Sequence, residues 1–357
     1  MRRPAKVMIS VLVLVLISLA VAACAAADGG DGEDRTDSER PLLLFSIGMH
    51  IEPKGARVSD IVTGGAPPRP VPPGDGYDTN EQLYRMHAQD ILAVAGIVEN
   101  HGGSMTIQVQ TPFTAMVIDS GDSLLADLAG RGHEIALHFH EDAHLGKDSE
   151  SLPVETWCAV MAEEVDLIKQ ASGVDDVRYW SGGNLYPSIL QAAACAGLDV
   201  YSDWKNPNTQ STPLALTGVN PWRPAGGTDG DDFSSLTSHD PDGAVTYLPE
   251  GLFDREDFAS VRKSMKADEN AYFEYLKDSL LQSLAAARTD QVNVFHFTIH
   301  PGEFKGDPAD AFAAIDRFLT EVVDPLVESG QIEWATYSQM ADAYAQWERE
   351  NPGVAPK

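Results

Sequence analysis

Gly132-His133-Glu134-Ile135-Ala136-Leu137-His138-Phe139-His140-Glu141-Asp142-Ala143-His144 places four histidines in and just beyond an apolar run, the pattern of a metal site built at a strand end. Read as a strand, Glu134 to Phe139 sends successive side chains to opposite faces. Glu134, Ala136, His138 and His140 share one face, and Ile135, Leu137 and Phe139 the other. Two imidazoles then point the same way, one pleat apart. His144 follows His140 by four residues, and a helical turn there would return it to the same side as a third nitrogen donor for a zinc-like ion.

Outward from this stretch, strands and helices alternate. Leu42 to Ile51 reads as a strand with Leu43, Phe45, Ile47, Met49 and Ile51 on one face and Ser46, Gly48 and His50 on the other, so His50 and Glu52 emerge together at its end. Asn80 to Asn100 has helical periodicity and stops at His101-Gly102-Gly103, Met105 to Val109 is a short strand, and Ser123 to Ala129 a helix. After the histidine strand come a helix over Val154 to Ser172, a strand over Val177 to Trp180, a helix over Pro187 to Ala196 and a strand over Asp199 to Trp204. A Pro/Gly/Asp-rich excursion from Asn206 to Asp242 has the length of a loop that covers a site. Val245 to Leu248, Gln291 to Ile299 and Ile332 to Trp334 are strand-like, and Glu256 to Arg288, Pro308 to Glu328 and Tyr337 to Arg349 helical. This alternation predicts an α/β fold with a largely parallel sheet, closed into a (β/α) barrel at this length. Active residues then belong at the C-terminal strand ends, where His50, Glu52, His138, His140, Asp203 and His300 all fall.

The N-terminus reads as an export signal. Met1-Arg2-Arg3-Pro4-Ala5-Lys6 precedes an apolar core from Val7 to Val21 and then Ala22-Ala23-Cys24, which is similar to the lipobox of bacterial lipoproteins. The expectation is a signal peptide over residues 1–23, lipid attachment at Cys24, a flexible acidic tether over 24–40 and one folded domain over 41–357, held outside the cytoplasm at a bacterial envelope. The formal charge is −29, and removing the positive Arg2, Arg3 and Lys6 with the signal leaves −32. Such a surface repels nucleic acid. Cys158 and Cys195 remain after Cys24 and could pair or stay as buried thiols.

His140-Glu141-Asp142-Ala143-His144 matches the His-Glu-x-x-His string of zinc proteases literally, with Glu163 and Glu164 downstream as third-ligand candidates. The charged Asp142, the strand-like lead-in and the early stops Gly146 and Pro153 argue against the long helix that motif needs. Arg131-Gly132-His133-Glu134-Ile135-Ala136-Leu137-His138 instead resembles the second motif of NodB-type polysaccharide deacetylases, and Ser104 to Val109 resembles the strand preceding it. Val177-Arg178-Tyr179-Trp180-Ser181-Gly182-Gly183-Asn184 resembles that family's arginine motif, Ala196 to Trp204 its Asp/Trp motif, and Thr298-Ile299-His300 its closing motif. The resemblance spans residues 41 to 345 and implies the family's distorted (β/α) barrel. It departs at the first motif, where the family carries two adjacent aspartates and this strand ends Gly48-Met49-His50-Ile51-Glu52.

The resemblance implies a divalent metal, zinc above others, with His50 and two of His138, His140 and His144 as ligands. Glu52 is then the base, Arg178 holds the base, and His300, steadied by Asp203, is the acid that protonates the departing amine. The expected function is removal of N-acetyl or related acyl groups from an extracellular or peptidoglycan-like polysaccharide. A non-catalytic carbohydrate-binding lipoprotein on the same fold is the alternative that the first-motif departure motivates, and the zinc protease the other. Trp222-Arg223-Pro224 is a further candidate substrate contact. His133 and His296 read as packing, and His87, His101 and His239 as solvent-facing.

Overall fold

A computed structural model describes residues 41–66, 72, 74–184, 186–206, 211–226, 234–253, 268–303 and 312–356. The expected signal peptide (1–23) and tether (24–40) lie outside the described residues. The strands are β1 Leu43–His50, β2 Thr106–Val109, β3 Glu134–Phe139, β4 Tyr179–Gly182, β5 Val200–Ser202, β6 Thr246–Tyr247, β7 Asn293–Ile299 and β8 Ile332–Trp334. All pairings are parallel, in the order β6-β5-β4-β3-β2-β1-β7. Along one edge β1 pairs with β7 from Leu43 to Met49. Its other edge is shared, with β8 against Leu43 to Phe45 and β2 against Gly48 to His50.

Nearly every residue of β1, β2, β3, β4 and β7 is buried, as a parallel sheet covered on both faces requires. Between β6 and β7 the wall is irregular. The Val294 N–H donates to Val219 O and the His296 N–H to Glu250 O, so the segments around residues 219 and 250 close the gap without a regular strand pair. The result is the distorted (β/α) barrel.

The helices are α1 Asp60–Thr63, α2 Glu81–Asn100, α3 Phe113–Ser120, α4 Leu124–Gly130, α5 Glu141–His144, α6 Val154–Ser172, α7 Ile189–Cys195, α8 Ser234–Thr237, α9 Glu269–Ala286, α10 Ala313–Phe318, α11 Asp324–Glu328 and α12 Tyr337–Glu350. Asn80 caps α2 by accepting from the Leu83 N–H at 3.0 Å, and α12 opens with a capping box of Thr336 and Gln339. The helix α3 was not apparent in the sequence. A disulfide joins Cys158 on α6 to Cys195 on α7, which settles the cysteine question in favour of pairing.

One glycine is dictated by packing at the site's rim. Gly182, at the end of β4, has φ +90°, and a Cβ there would fall 2.1 Å from Phe139 O. The last residues of β3 and β4 can approach this closely only without a side chain.

Candidate metal centre

The C-terminal strand ends converge on one cluster. Glu52, just beyond β1, places Oε2 3.0 Å from His140 Nε2 and Oε1 3.1 Å from His300 Nε2. The rings of His138 and His140 meet edge to face at 4.9 Å, and His50 stacks on His138 at 3.8 Å. Glu52, His138 and His140 each offer a ligand atom within 4.8 Å of the others, which makes them the group of three metal-competent side chains among the described residues.

Hydrogen bonding settles the state of His138. Gln108 Oε1 can only accept, so the Ser181 hydroxyl donates to it at 2.7 Å. Ser181 Oγ then accepts from His138 Nδ1–H at 2.7 Å and from His50 Nε2–H at 3.1 Å. The remaining nitrogen of His138, Nε2, is buried with no hydrogen-bond partner. Burial, with His50 and His140 close by, holds His138 well below the ordinary imidazole pKa, so Nε2 carries a lone pair. An orphaned buried lone pair is costly unless something binds it.

Two imidazole nitrogens and a carboxylate oxygen are a common donor set for zinc, and tetrahedral ligands at bonds of about 2.0–2.1 Å sit roughly 3.3 Å apart, close to the Glu52–His140 spacing. The residues therefore fit a divalent ion. Burial opposes ionisation of Glu52, but hydrogen bonds from His140 and His300 hold its carboxyl far below the usual range. Burial likewise works against a charged His140, while Asp142 and Glu52 push that imidazole up to about 10.

Other expected residues are placed differently. His50 does not join the three. Its Nε2–H is committed to Ser181 and lies 3.4 Å from Asp203 Oδ2. His144 is buried elsewhere: Nε2 must donate to Gln110 Oε1 at 2.7 Å, and Nδ1 lies 3.4 Å from Glu164 Oε1. The protease string thus fails as a ligand pair. Its α5 is a single turn, and Glu141 accepts from the Gly183 N–H at 3.0 Å.

Asp203 does not steady His300. It is held by Lys205, which also approaches Glu250 at 3.7 Å, and it sits in the left-handed region at φ 61°. Burial opposes its ionisation and Lys205 keeps it a carboxylate, whereas burial raises the pKa of Glu250. The carboxylate on His300 Nδ1 is instead Glu303 at 3.4 Å, a residue the sequence reading missed although it lies only three positions downstream.

Arg178 precedes β4 at the opposite end of the sheet. It pairs with Asp199 at 2.9 Å and Asp342 at 2.7 Å, so it ties strands to α12 and holds no base. Arg223 likewise pairs with Glu348 at 2.7 Å and lines a cavity of about 550 Å³ with His239 and Arg349, which no residue of the metal cluster shares. His133 bonds Glu99 and His296 is fully buried, in keeping with packing roles. His87 is buried against Tyr77, and the ring of His101 bridges Asp316 and Asp324, so neither simply faces solvent. His239 is partly buried, with Nδ1 accepting from the Arg223 N–H at 3.3 Å.

No protein-family model matches the chain, and no curated protein does. Solved structures do. The chain is similar to the Puue allantoinase at 14% identity and TM-score 0.55, covering 89% of this chain and 94% of that one. It is similar to a probable polysaccharide deacetylase from Pseudomonas aeruginosa PAO1 at 16% identity and TM-score 0.54, covering 88% and 93%. A putative polysaccharide deacetylase from Mycobacterium smegmatis matches at 14% identity and TM-score 0.51, covering 87% and 92%. With a parallel barrel walled irregularly between its sixth and seventh strands and matched over 87–88% of its length, the chain has the distorted (β/α) barrel fold of the NodB-type polysaccharide deacetylases.

Proposed function

We propose that this protein is a metal-dependent hydrolase that removes N-acetyl or related acyl groups from an extracellular or cell-wall polysaccharide, tethered to the bacterial envelope through Cys24. The observation that carries the reading is the buried, unpartnered Nε2 of His138, which shares its cluster with Glu52 and His140. Those three residues would hold the metal, zinc by the chemistry of the donors, which when bound supplies Lewis acidity and lowers the pKa of a water. Glu52 reaches His140 with one oxygen and His300 with the other. One carboxylate could therefore complete the donor set and, at Oε1, take the proton a water loses on attack. His300, between Glu52 and Glu303, would give its Nε2 proton to the departing amine and recover one from Glu52.

The disulfide supports an oxidising compartment for the folded domain. A non-catalytic carbohydrate-binding role is the second reading, favoured by the capture of Asp203 by Lys205 and the absence of an Asp203–His300 contact among the described residues. Metal analysis together with acetate release from acetylated oligosaccharides separates them. An enzyme co-purifies with one divalent ion per chain and releases acetate, and both are lost in His138→Ala. A wild-type protein that releases no acetate from any acetylated glycan when loaded with zinc overturns the hydrolase.

A further inference from the structure

Gln110 follows β2, the strand that separates β1 from β3, and is fully buried. Its side chain does what the backbone ladder has stopped doing at this height. The last main-chain bond between β2 and the end of β1 runs from the Ile51 N–H to Gln108 O at 2.8 Å. Beyond it, Gln110 Nε2 donates to Ile51 O at 3.2 Å, and Gln110 Oε1 accepts the His140 N–H at 3.1 Å. The two partners fix which end of the amide is which, since a carbonyl can only accept and an N–H can only donate. Ile51 is joined directly to Glu52. One side chain thus grips the main chain beside both Glu52 and His140, on either side of the cleft where their side chains meet at 3.0 Å.

Gln110 is itself held from behind. His144 Nε2–H donates to the same Oε1 at 2.7 Å, and His144 Nδ1 lies 3.4 Å from Glu164 on α6. Glu164 in turn accepts from the Thr111 N–H at 2.8 Å and the Thr111 hydroxyl at 2.6 Å, so the residue after Gln110 is tied to the same helix. Gln110, His144 and Glu164 therefore form one buried network in which Gln110 reaches the metal cluster through the His140 N–H and the Ile51 carbonyl.

We infer that Gln110, backed by His144 and Glu164, is a positioning residue that sets the separation of the Glu52 and His140 ligand atoms and hence the affinity for the metal. The inference rests on the metal-centre reading above. It gives the second histidine of the protease-like string a role as a support.

The test is zinc titration of the purified metal-free protein, alone and as variants, with circular dichroism confirming the fold. Gln110→Leu and His144→Phe are expected to weaken zinc binding tenfold or more, the range typical of lost outer contacts to metal ligands. His144→Gln, whose amide can still donate toward Oε1, is expected to stay within about threefold of wild type. The visible spectrum of the cobalt-loaded protein should shift in Gln110→Leu and not in His144→Gln, a change that loss of stability alone does not produce. Wild-type zinc affinity in Gln110→Leu, or a His144→Gln variant as weak as His144→Phe, overturns the inference. A wild-type protein that binds zinc no better than His138→Ala overturns the metal-centre reading and this inference with it.

Discussion

His138 Nδ1 lies 2.7 Å from Ser181 Oγ, and through that contact Ser181 decides which nitrogen of the ring faces the cluster. With its own proton given to Gln108, the hydroxyl can only accept, so the ring carries its proton on Nδ1. Replacing Ser181 with Ala removes that acceptor and leaves Nδ1–H buried without one. Zinc affinity should fall about 10–100-fold, as for other lost contacts to a ligating histidine. Calorimetric titration of Ser181→Ala measures it, and unchanged affinity would show that the tautomer is fixed some other way.

Arg178→Ala should leave metal content and any acetate release unchanged while lowering stability by about 1 kcal/mol, because its ion pairs with Asp199 and Asp342 are partly exposed and lie at the far end of the sheet. Urea denaturation and metal analysis on the same preparation check both halves. A variant of wild-type stability that loses activity would restore Arg178 to the chemistry.

The disulfide closes a loop across 37 positions of sequence separation between α6 and α7. Chain-entropy reasoning assigns such a closure roughly 3–4 kcal/mol. The double variant Cys158→Ser, Cys195→Ser should unfold at distinctly lower urea, and wild type treated with reductant should move toward it. A midpoint insensitive to both would mean that the bond is not formed in solution.

Burial lowers the pKa of His296 to about 4, against a hydrogen bond to the Leu248 carbonyl that acts the other way. Between pH 4 and about 6.5 the unfolded chain binds a proton there that the folded state refuses, so stability rises with pH through this window and is flat above it. The contribution is about 3 kcal/mol across the window. His296→Gln should flatten the acid side of the stability profile relative to wild type. Parallel profiles from pH 4 to 7 would remove His296 as the cause.

Much of this fold is legible in the sequence. The strand Glu134 to Phe139, the helix Val154 to Ser172 and the strand Ile332 to Trp334 follow directly from period and punctuation, and alternation put His138 and His140 on one face, where their rings meet. What sequence could not supply was the partner of each polar group. His50 and Glu52 share parity along the chain, yet β1 stops at His50, so only Glu52 swings free toward His140 while His50 is held by Ser181 from β4. Asp203 and His300 were paired by motif order, but Lys205 is two residues from Asp203 and Glu303 three from His300, and these short-range ties win. Arg178 sits just before its strand, which alone places it opposite a site built at strand ends.

Because Glu52 stands past the last paired residue of β1, its carboxylate is an arm attached to the scaffold rather than a tooth of it. Its reach is set by side-chain length and by the neighbouring main chain, so the barrel can exchange the residues at the strand tip without rebuilding the sheet. Shortening the arm by one methylene, as in Glu52→Asp, would leave the carboxylate able to touch His140 or His300 but not both.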